Sequence, residues 1–251
     1  MVTLKSAREI DVMNRAGMIA AETLSLVRNM VRPGVSTEDL DQAAEQFIRS
    51  HHGARPSFKG LYGFPKSLCI SINEEIVHGI PSRKRILREG NIVSVDVGVN
   101  LEGLHADTAT TIPVGEIAPV ATGLLEVTER ALYAGIEMAR LGNHVGDIGH
   151  AIQQVAEAAG VGIVRELVGH GVGARMHEDP QVPNYGAPKR GPRLREGMTL
   201  AIEPMLTTGG IATRTLPDKW TVVTADGSLS AHFEHTVAVT GNGPRVLTSP
   251  A

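Results

Sequence analysis

The feature that most constrains this chain is that it repeats itself. Leu87-Arg88-Glu89-Gly90 returns as Leu194-Arg195-Glu196-Gly197, at an offset of 107 residues. Six residues after each glycine stands an acid, Asp96 in the first copy and Glu203 in the second. Upstream, Arg32-x-Gly34 with Asp39-Leu40 matches Arg140-x-Gly142 with Asp147-Ile148 at an offset of 108; downstream, His105-x-Asp107 matches His232-x-Glu234 at 127. One four-residue match would be chance. Three in the same order at a nearly constant offset mark two related halves, and the extra residues fall between Glu203 and Glu234. Halves of about 110–120 residues are too long for solenoid units. They are expected to pack as one catalytic domain over residues 1–251, with halves at 6–118 and 119–246 and a shared site at their pseudo-twofold axis.

Each half reads helix, helix, strands. Ser6-x-x-Glu9 is a capping box ahead of Ile10, Met13, Gly17, Ala20, Leu24 and Val27 at helical spacing. Pro33-Gly34 ends that helix, and Ser36-Thr37-Glu38-Asp39 opens a second. The pattern returns over Thr122–Leu141 and Val145–Ala159. Strand signals cover Leu68–Ile72, Ile92–Asn100 and Leu104–Ile112, then Thr199–Met205, Thr221–Thr224 and Ala231–Val239. Helices alternating with antiparallel strands give the α+β class.

Composition removes several function classes. Acids number 27 and Lys+Arg 24, with no block of like charge, so the footprint of a nucleic-acid binder is missing. No apolar run is long enough to span a bilayer. The single cysteine, Cys69, excludes an intrachain disulfide and a cysteine-based zinc cluster. The opening Met1–Ser6 leads into a polar helix pattern rather than a signal peptide. The expectation is a soluble, cytoplasmic protein.

Ile92–Asn100 alternates strictly, with Val93, Val95, Val97 and Val99 on one face and Ser94, Asp96 and Gly98 on the other. The turn Asn100-Leu101-Glu102-Gly103 then reverses the chain. Centring it between Leu101 and Glu102 sets Asp96 directly opposite Asp107, with Cβ atoms roughly 5 Å apart. Two facing carboxylates repel unless one keeps its proton or a cation lies between them. Solvated acids on an exposed strand face would be the bland alternative. It is weakened because Glu203 and Glu234 occupy the repeat-equivalent places. Four carboxylates converging across an axis form a cluster that needs cations. An oxygen-rich set with one nitrogen donor suits Mn, Fe(II) or Co, and Zn less selectively.

The nitrogen donor is expected to be His170, in Gly169-His170-Gly171-Val172-Gly173; a turn histidine is the competing reading. His78-Gly79-Ile80-Pro81 and His177-Glu178-Asp179-Pro180 share a pattern, each histidine standing three residues before a proline. Beside a metal pair such histidines steady a carbonyl or relay a proton; as capped loop residues they would do neither. His51, His52, His144 and His150 are read as solvated, and His105, His232 and His235 as candidates to support the ligands. Of only eight aromatic residues, Phe58, Tyr62 and Phe64 fall together, while Trp220 and Phe233 stand near the later strands. They are core residues or the walls of a small apolar pocket beside the metals.

At this point the residues resemble a family. Gly63-Phe64-Pro65-Lys66-Ser67-Leu68-Cys69-Ile70-Ser71-Ile72-Asn73-Glu74-Glu75-Ile76-Val77-His78-Gly79-Ile80-Pro81 is similar to the signature of type I methionine aminopeptidases. So are Val95-Asp96-Val97-Gly98, His105-Ala106-Asp107-Thr108, Gly169–Gly173, Ile202-Glu203-Pro204 and Phe233-Glu234-His235-Thr236. The resemblance runs from Ser6 to about Val246, and its motifs are long and specific. It implies the pita-bread fold, two halves about a pseudo-twofold with a central antiparallel sheet. It implies two divalent ions, drawn from Co, Mn, Fe(II), Zn or Ni. Asp96 would chelate one, Asp107 and Glu234 would bridge both, and His170 and Glu203 would complete the other. His177 would contact the scissile amide, His78 the leaving-peptide side, and Glu203 would shuttle the proton. Phe58, Leu61, Phe64, Cys69, Met176 and Trp220 would line the methionine pocket. Against bacterial members, Phe58 stands where a small or thiol residue is frequent, Leu61 and Phe64 where tyrosines are, and Met176 where phenylalanine is. Gly98 and Ala201 replace threonines near the metals, so some supporting hydrogen bonds are expected to be lost or taken over by water.

The activity so implied is removal of the terminal methionine from nascent polypeptides, at the ribosome, when the second residue is small. Between His177 and Glu203 lie too few residues for the helical insertion of type II enzymes, and no zinc-finger or proline-rich extension precedes Ser6, so the short bacterial form is expected. No apolar face is left over, and a monomer is expected. Two rivals stand beside this reading. Prolidases and aminopeptidases P carry similar ligands but an added N-terminal domain. A catalytically dead pita-bread module that binds RNA or protein would have lost ligands, and here all five are present.

Overall fold

The computed structural model describes residues 2–249, so Met1, Pro250 and Ala251 of the expected domain lie outside the described residues. Four α-helices are formed among the described residues: α1 (Ala7–Met30), α2 (Thr37–Ser50), α3 (Pro119–Glu137) and α4 (Val145–Ala158). The Ser6/Glu9 capping box closes as expected: Glu9 N–H donates to Ser6 Oγ at 3.3 Å and Ser6 N–H to Glu9 Oε2 at 2.8 Å. Ile10, Met13, Gly17, Ala20, Leu24 and Val27 are all buried. Pro119 opens α3 at the first helical turn, where a missing N–H costs nothing. That helix starts and ends a few residues before the sequence reading, with Pro119 rather than Thr122 opening its first turn.

Nine strands form one antiparallel sheet: β1 (Arg55–Pro56), β2 (Leu68–Ile72), β3 (Ile92–Leu101), β4 (Leu104–Pro113), β5 (Gly169–Gly171), β6 (Glu178–Val182), β7 (Thr199–Ile202), β8 (Glu234–Thr240) and β9 (Gly243–Val246). The order is β1-β3-β4-β8-β7-β5-β6, with β2 also on β3 and β9 also on β8. Two small sheets flank it. One joins Ser230–His232, Met205–Thr207 and Gly162–Ile163; the other joins Thr213–Thr215, Val222–Thr224 and Glu75–Val77. The strands expected over Thr199–Met205 and Ala231–Val239 are each broken in two, at Glu203-Pro204 and at Phe233. Pro204 has no N–H for a ladder. Each break comes beside an acid of the site and redirects the chain there.

The hairpin register differs from expectation. Leu101 pairs with Leu104 and Gly98 with Asp107, so Asp96 faces Ala109 and stands diagonal to Asp107. The turn is the two-residue Glu102-Gly103, with φ of 52° and 84°. Positive φ at both central positions is the type I′ turn that matches strand twist, and glycine takes the second position without strain. The diagonal keeps both carboxylates on one face, since the offset is two residues.

The repeat is visible in hydrogen bonds as well as in letters. Gly34 N–H donates to Leu87 O and Gly142 N–H to Leu194 O; Leu87 N–H returns to Val35 O and Leu194 N–H to Asn143 O. Asp39 caps α2 through Ser36 N–H, and Asp147 caps α4 through His144 N–H. His144 is therefore half-buried at a helix start rather than solvated. Two principal apolar cores follow the halves: one spans Val12 to Val114, and the other takes Ile92 together with Ala121 to Val239. Phe233 belongs to the second core, not to the pocket.

Candidate metal centre

Five adjacent strands each deliver one group to the same place. Across β3-β4-β8-β7-β5 these are Asp96, Asp107, Glu234, Glu203 (the residue after β7) and His170. β4 and β8, neighbours in the sheet, are where strands from before α3 meet strands from after it, and each side supplies two acids. One donor atom from each of Asp107, His170 and Glu234 lies within 4.8 Å of the others. His170 Nε2 is 3.6 Å from Asp107 Oδ2 and 3.5 Å from Glu203 Oε1. All five residues border one cavity of about 380 Å³.

The protein holds these groups from behind. His170 Nδ1 lies 2.9 Å from Gly171 O. A carbonyl only accepts, so Nδ1 carries the proton and Nε2 turns a lone pair toward the acids. Thr236 Oγ1 donates to Asp107 Oδ1 at 2.9 Å and receives Asp107 N–H at 3.0 Å. Asn184 Nδ2 donates to Glu203 O at 3.0 Å. Asn184 has no mark in the sequence and Thr236 stands there only inside the Phe233–Thr236 motif, because neither has the spacing of a ligand.

The electrostatics call for positive charge. Asp107 and Glu234 are 3 % and 2 % exposed. Burial pushes the carboxyls of Asp96, Glu203 and Glu234 well above the usual carboxylate range. The Asp107 charge raises each of them further, and Asp96 adds to Glu203. Two polar atoms here are buried without any hydrogen-bond partner, Asp96 Oδ1 and His232 Nε2, the latter 3.6 Å from Glu203 Oε2. Buried acids crowded this way are stable when a cation neutralises them. Four carboxylates and an imidazole lone pair fit divalent ions with mixed oxygen and nitrogen ligation.

The expected pocket residues also gather. Phe58, Phe64, Cys69 and Met176 form one buried cluster with Leu61, Ile80 and Trp220 against it. The Phe64 and Trp220 rings meet edge to face with centroids 5.1 Å apart. Burial, followed by Asp96, raises the Cys69 thiol well above its ordinary value, so it packs as an apolar group and is no nucleophile. At Gly98, a Cβ would lie 2.8 Å from both Phe58 Cε1 and Ser57 Cβ. The space expected to hold a threonine, or a water in its place, is filled by the Phe58 ring.

His177 and His78 line the same cavity. The His177 ring meets His170 edge-on at 4.5 Å and stacks on Tyr62 at 5.8 Å. Burial first, then His170, His78 and His105, bring its pKa down to about 4, so it is neutral at pH 7. His78 takes a positive φ of 60° and its pKa is lowered by burial. Tyr62, 74 % exposed at the mouth, was noticed in the sequence only for its clustering. Of the remaining histidines, His232 is buried against Glu203 with a pKa near 3, lowered by burial and then by His78. His105 is held by Ser57 Oγ at 2.8 Å and Asn100 Nδ2 at 2.9 Å. His235 faces away from the acids and bonds Thr248 Oγ1 at 2.9 Å.

The sequence profile described as metallopeptidase family M24 matches residues 11–241. The chain belongs to metallopeptidase family M24. Within it, this chain groups with the type I methionine aminopeptidases. A methionine aminopeptidase of Clostridium perfringens is 54 % identical over 248 residues, covering 99 % of each chain. The crystal structure of a methionine aminopeptidase from Thermotoga maritima superposes with a TM-score of 0.97 at 43 % identity, covering 99 % of this chain and 100 % of that one. A prolidase from Pyrococcus horikoshii shares the fold at a TM-score of 0.78 and 22 % identity; 99 % of this chain corresponds to 64 % of that one. The fold is thus the pita-bread fold of the family, α+β around a curled antiparallel sheet.

Proposed function

We propose that this chain is a methionyl aminopeptidase that removes the terminal methionine of nascent proteins and peptides. The observation that carries the reading is the convergence of Asp96, Asp107, His170, Glu203 and Glu234 from five adjacent strands onto a cavity with one apolar wall. Asp96, Asp107 and Glu234 would hold one ion, and Asp107, Glu234, His170 and Glu203 the other. Divalent ions held there would supply Lewis acidity to a water and to the scissile carbonyl. Co, Mn, Fe(II), Zn and Ni all suit the donor set.

The chain's own groups do the rest. The cluster of Phe58, Leu61, Phe64, Cys69, Met176 and Trp220 takes the methionine side chain in an apolar slot. A free, unprotonated α-amino group would be a ligand for an ion held by these acids, which would limit cleavage to the first peptide bond. Neutral His177 offers an N–H to the carbonyl oxygen as charge develops there, and His78 steadies the leaving peptide. Glu203 moves the proton from the attacking water to the departing amine. A small second residue fits at the rim. The working protein is a single catalytic domain, a cytoplasmic monomer that meets its substrates at the ribosome, with no nucleic-acid substrate.

Methionine release from a Met-Ala-Ser peptide with added Mn or Co tests this. Cleavage of an Xaa-Pro peptide in its place would point to the prolidase activity, and RNA binding without hydrolysis to a binding module.

A further inference from the structure

The loop between β5 and β6 carries both Met176 and His177, and its base is fastened by a side chain from outside the catalytic machinery. Lys5 Nζ donates to Glu178 Oε2 at 2.7 Å, and the two side chains are 5 % and 4 % exposed. Glu178 Oε1 accepts Arg175 N–H at 3.0 Å, closing the loop around the acid. Thr3 Oγ1 donates to Glu178 Oε2 and accepts from Lys5 Nζ at 3.0 Å. Lys5 is itself pinned, its N–H donating to Gly197 O at 2.7 Å. Gly173 leaves the path open: a Cβ there would lie 2.3 Å from Lys5 Cε and 2.6 Å from Nζ. Gly173 O in turn receives His105 N–H at 2.8 Å, tying the loop to β4 two residues before Asp107.

A buried ion pair rarely adds net stability over well-packed apolar residues, yet it fixes a geometry well. Here the geometry fixed is that of a loop only six residues long between Gly171 and Glu178. Hydrogen bonds with an ionised partner are about twice as strong as neutral ones, and Glu178 receives three. We propose that Lys5 is a positioning residue for the proposed reaction. By clamping Glu178 it holds the imidazole of His177 against His170 and the scissile carbonyl. The inference rests on the methionyl aminopeptidase reading and on the role given there to His177.

The metal-loaded full chain tests it, with kcat and KM measured on Met-Ala-Ser. Lys5→Met is expected to lower kcat about ten- to a hundred-fold, the cost of a misplacement near 1 Å. KM should change less than about threefold and bound metal not at all. Trypsin should cut faster after exposed Arg175, and Lys5→Arg should restore kcat. In a His177→Ala background, Lys5→Met is expected to cost less than about twofold, because the group it positions is gone. Equal losses in both backgrounds, or an unchanged kcat in Lys5→Met, would overturn the proposal. Should Lys5→Met not fold, Glu178→Gln is read in the same cycle. No methionine release by the unmodified chain would sink the functional reading itself, a distinct result.

Discussion

Gly98 and Phe58 form a matched pair, and Gly98→Ala measures the match. The added Cβ would stand 2.8 Å from Phe58 Cε1, 3.2 Å from Cζ and 2.8 Å from Ser57 Cβ. Carbon atoms pack comfortably at about 3.5–4.0 Å, so something must move. Ser57 is held by its Oγ to His105 and by its N–H to Gly98 O, which leaves the ring as the mobile partner. Overpacking of this kind costs about 1–3 kcal/mol. Replacing a strand glycine recovers about 0.5–1 kcal/mol of backbone entropy. The net is a loss of up to about 2.5 kcal/mol, a drop in Tm of up to about 10 °C for a chain this size. The ring can only yield toward the cavity it lines, so KM for methionyl peptides should rise with kcat less affected. Thermal unfolding and peptide kinetics of Gly98→Ala, Phe58→Ala and the double variant form the assay. Coupling of about 1 kcal/mol or more between the two sites is expected. If Gly98→Ala cost the same stability with and without the ring, the steric argument would be wrong.

Asp107→Asn and Glu234→Gln should each abolish activity and metal uptake together, whereas His177→Ala should lose rate and keep its metal; elemental analysis beside the peptide assay separates the cases. Metal-free protein should depend on pH through its crowded acids. The folded state raises the pKa of Asp96, Glu203 and Glu234, so their contribution is complete below the ordinary carboxylate value and is lost as pH climbs toward the folded values. Ion binding holds the same groups ionised. The difference in Tm with and without Mn should therefore widen from pH 5 to pH 8, and a constant difference would refute the linkage. Gly103→Ala puts a Cβ at φ 84° in the hairpin turn and should cost about 1–2 kcal/mol in denaturant titration, leaving metal affinity unchanged.

The repeat is legible because turns and acids recur at fixed distances, and it singles out all four carboxylates. Helix starts at Ser6 and Ser36 were legible from their caps. The hairpin register was not, because Leu101 and Leu104 read equally well as turn or ladder, and only the positive φ at Glu102 decides between them. Diagonal placement of Asp96 and Asp107 followed from that one-residue shift in the turn centre. The strand break at Glu203-Pro204 has its signal in Pro204, which lacks a ladder N–H, whereas nothing in His232-Phe233-Glu234 marks the break at Phe233. Lys5 and Glu178 lie 173 positions apart, and such a pairing leaves no trace in local pattern. Thr236 stands out in the sequence only as part of a motif, since a hydroxyl that supports a carboxylate has no spacing of its own.

Each half of this molecule has an oily interior of its own, but only half a claw. The tether between Val114 and Pro119 is brief, but smaller apolar clusters also bridge the halves, among them Ile10 and Met13 with Val172, Ala238 and Leu247. Sever it, and each piece would carry only part of the donor set: one would bring Asp96 and Asp107, the other His170, Glu203 and Glu234. Mixed again, the pieces would meet through those clusters and the β4–β8 ladder, and a dication held between them would tighten the pairing. Cofactor capture and reassembly would then be linked events, each strengthening the other.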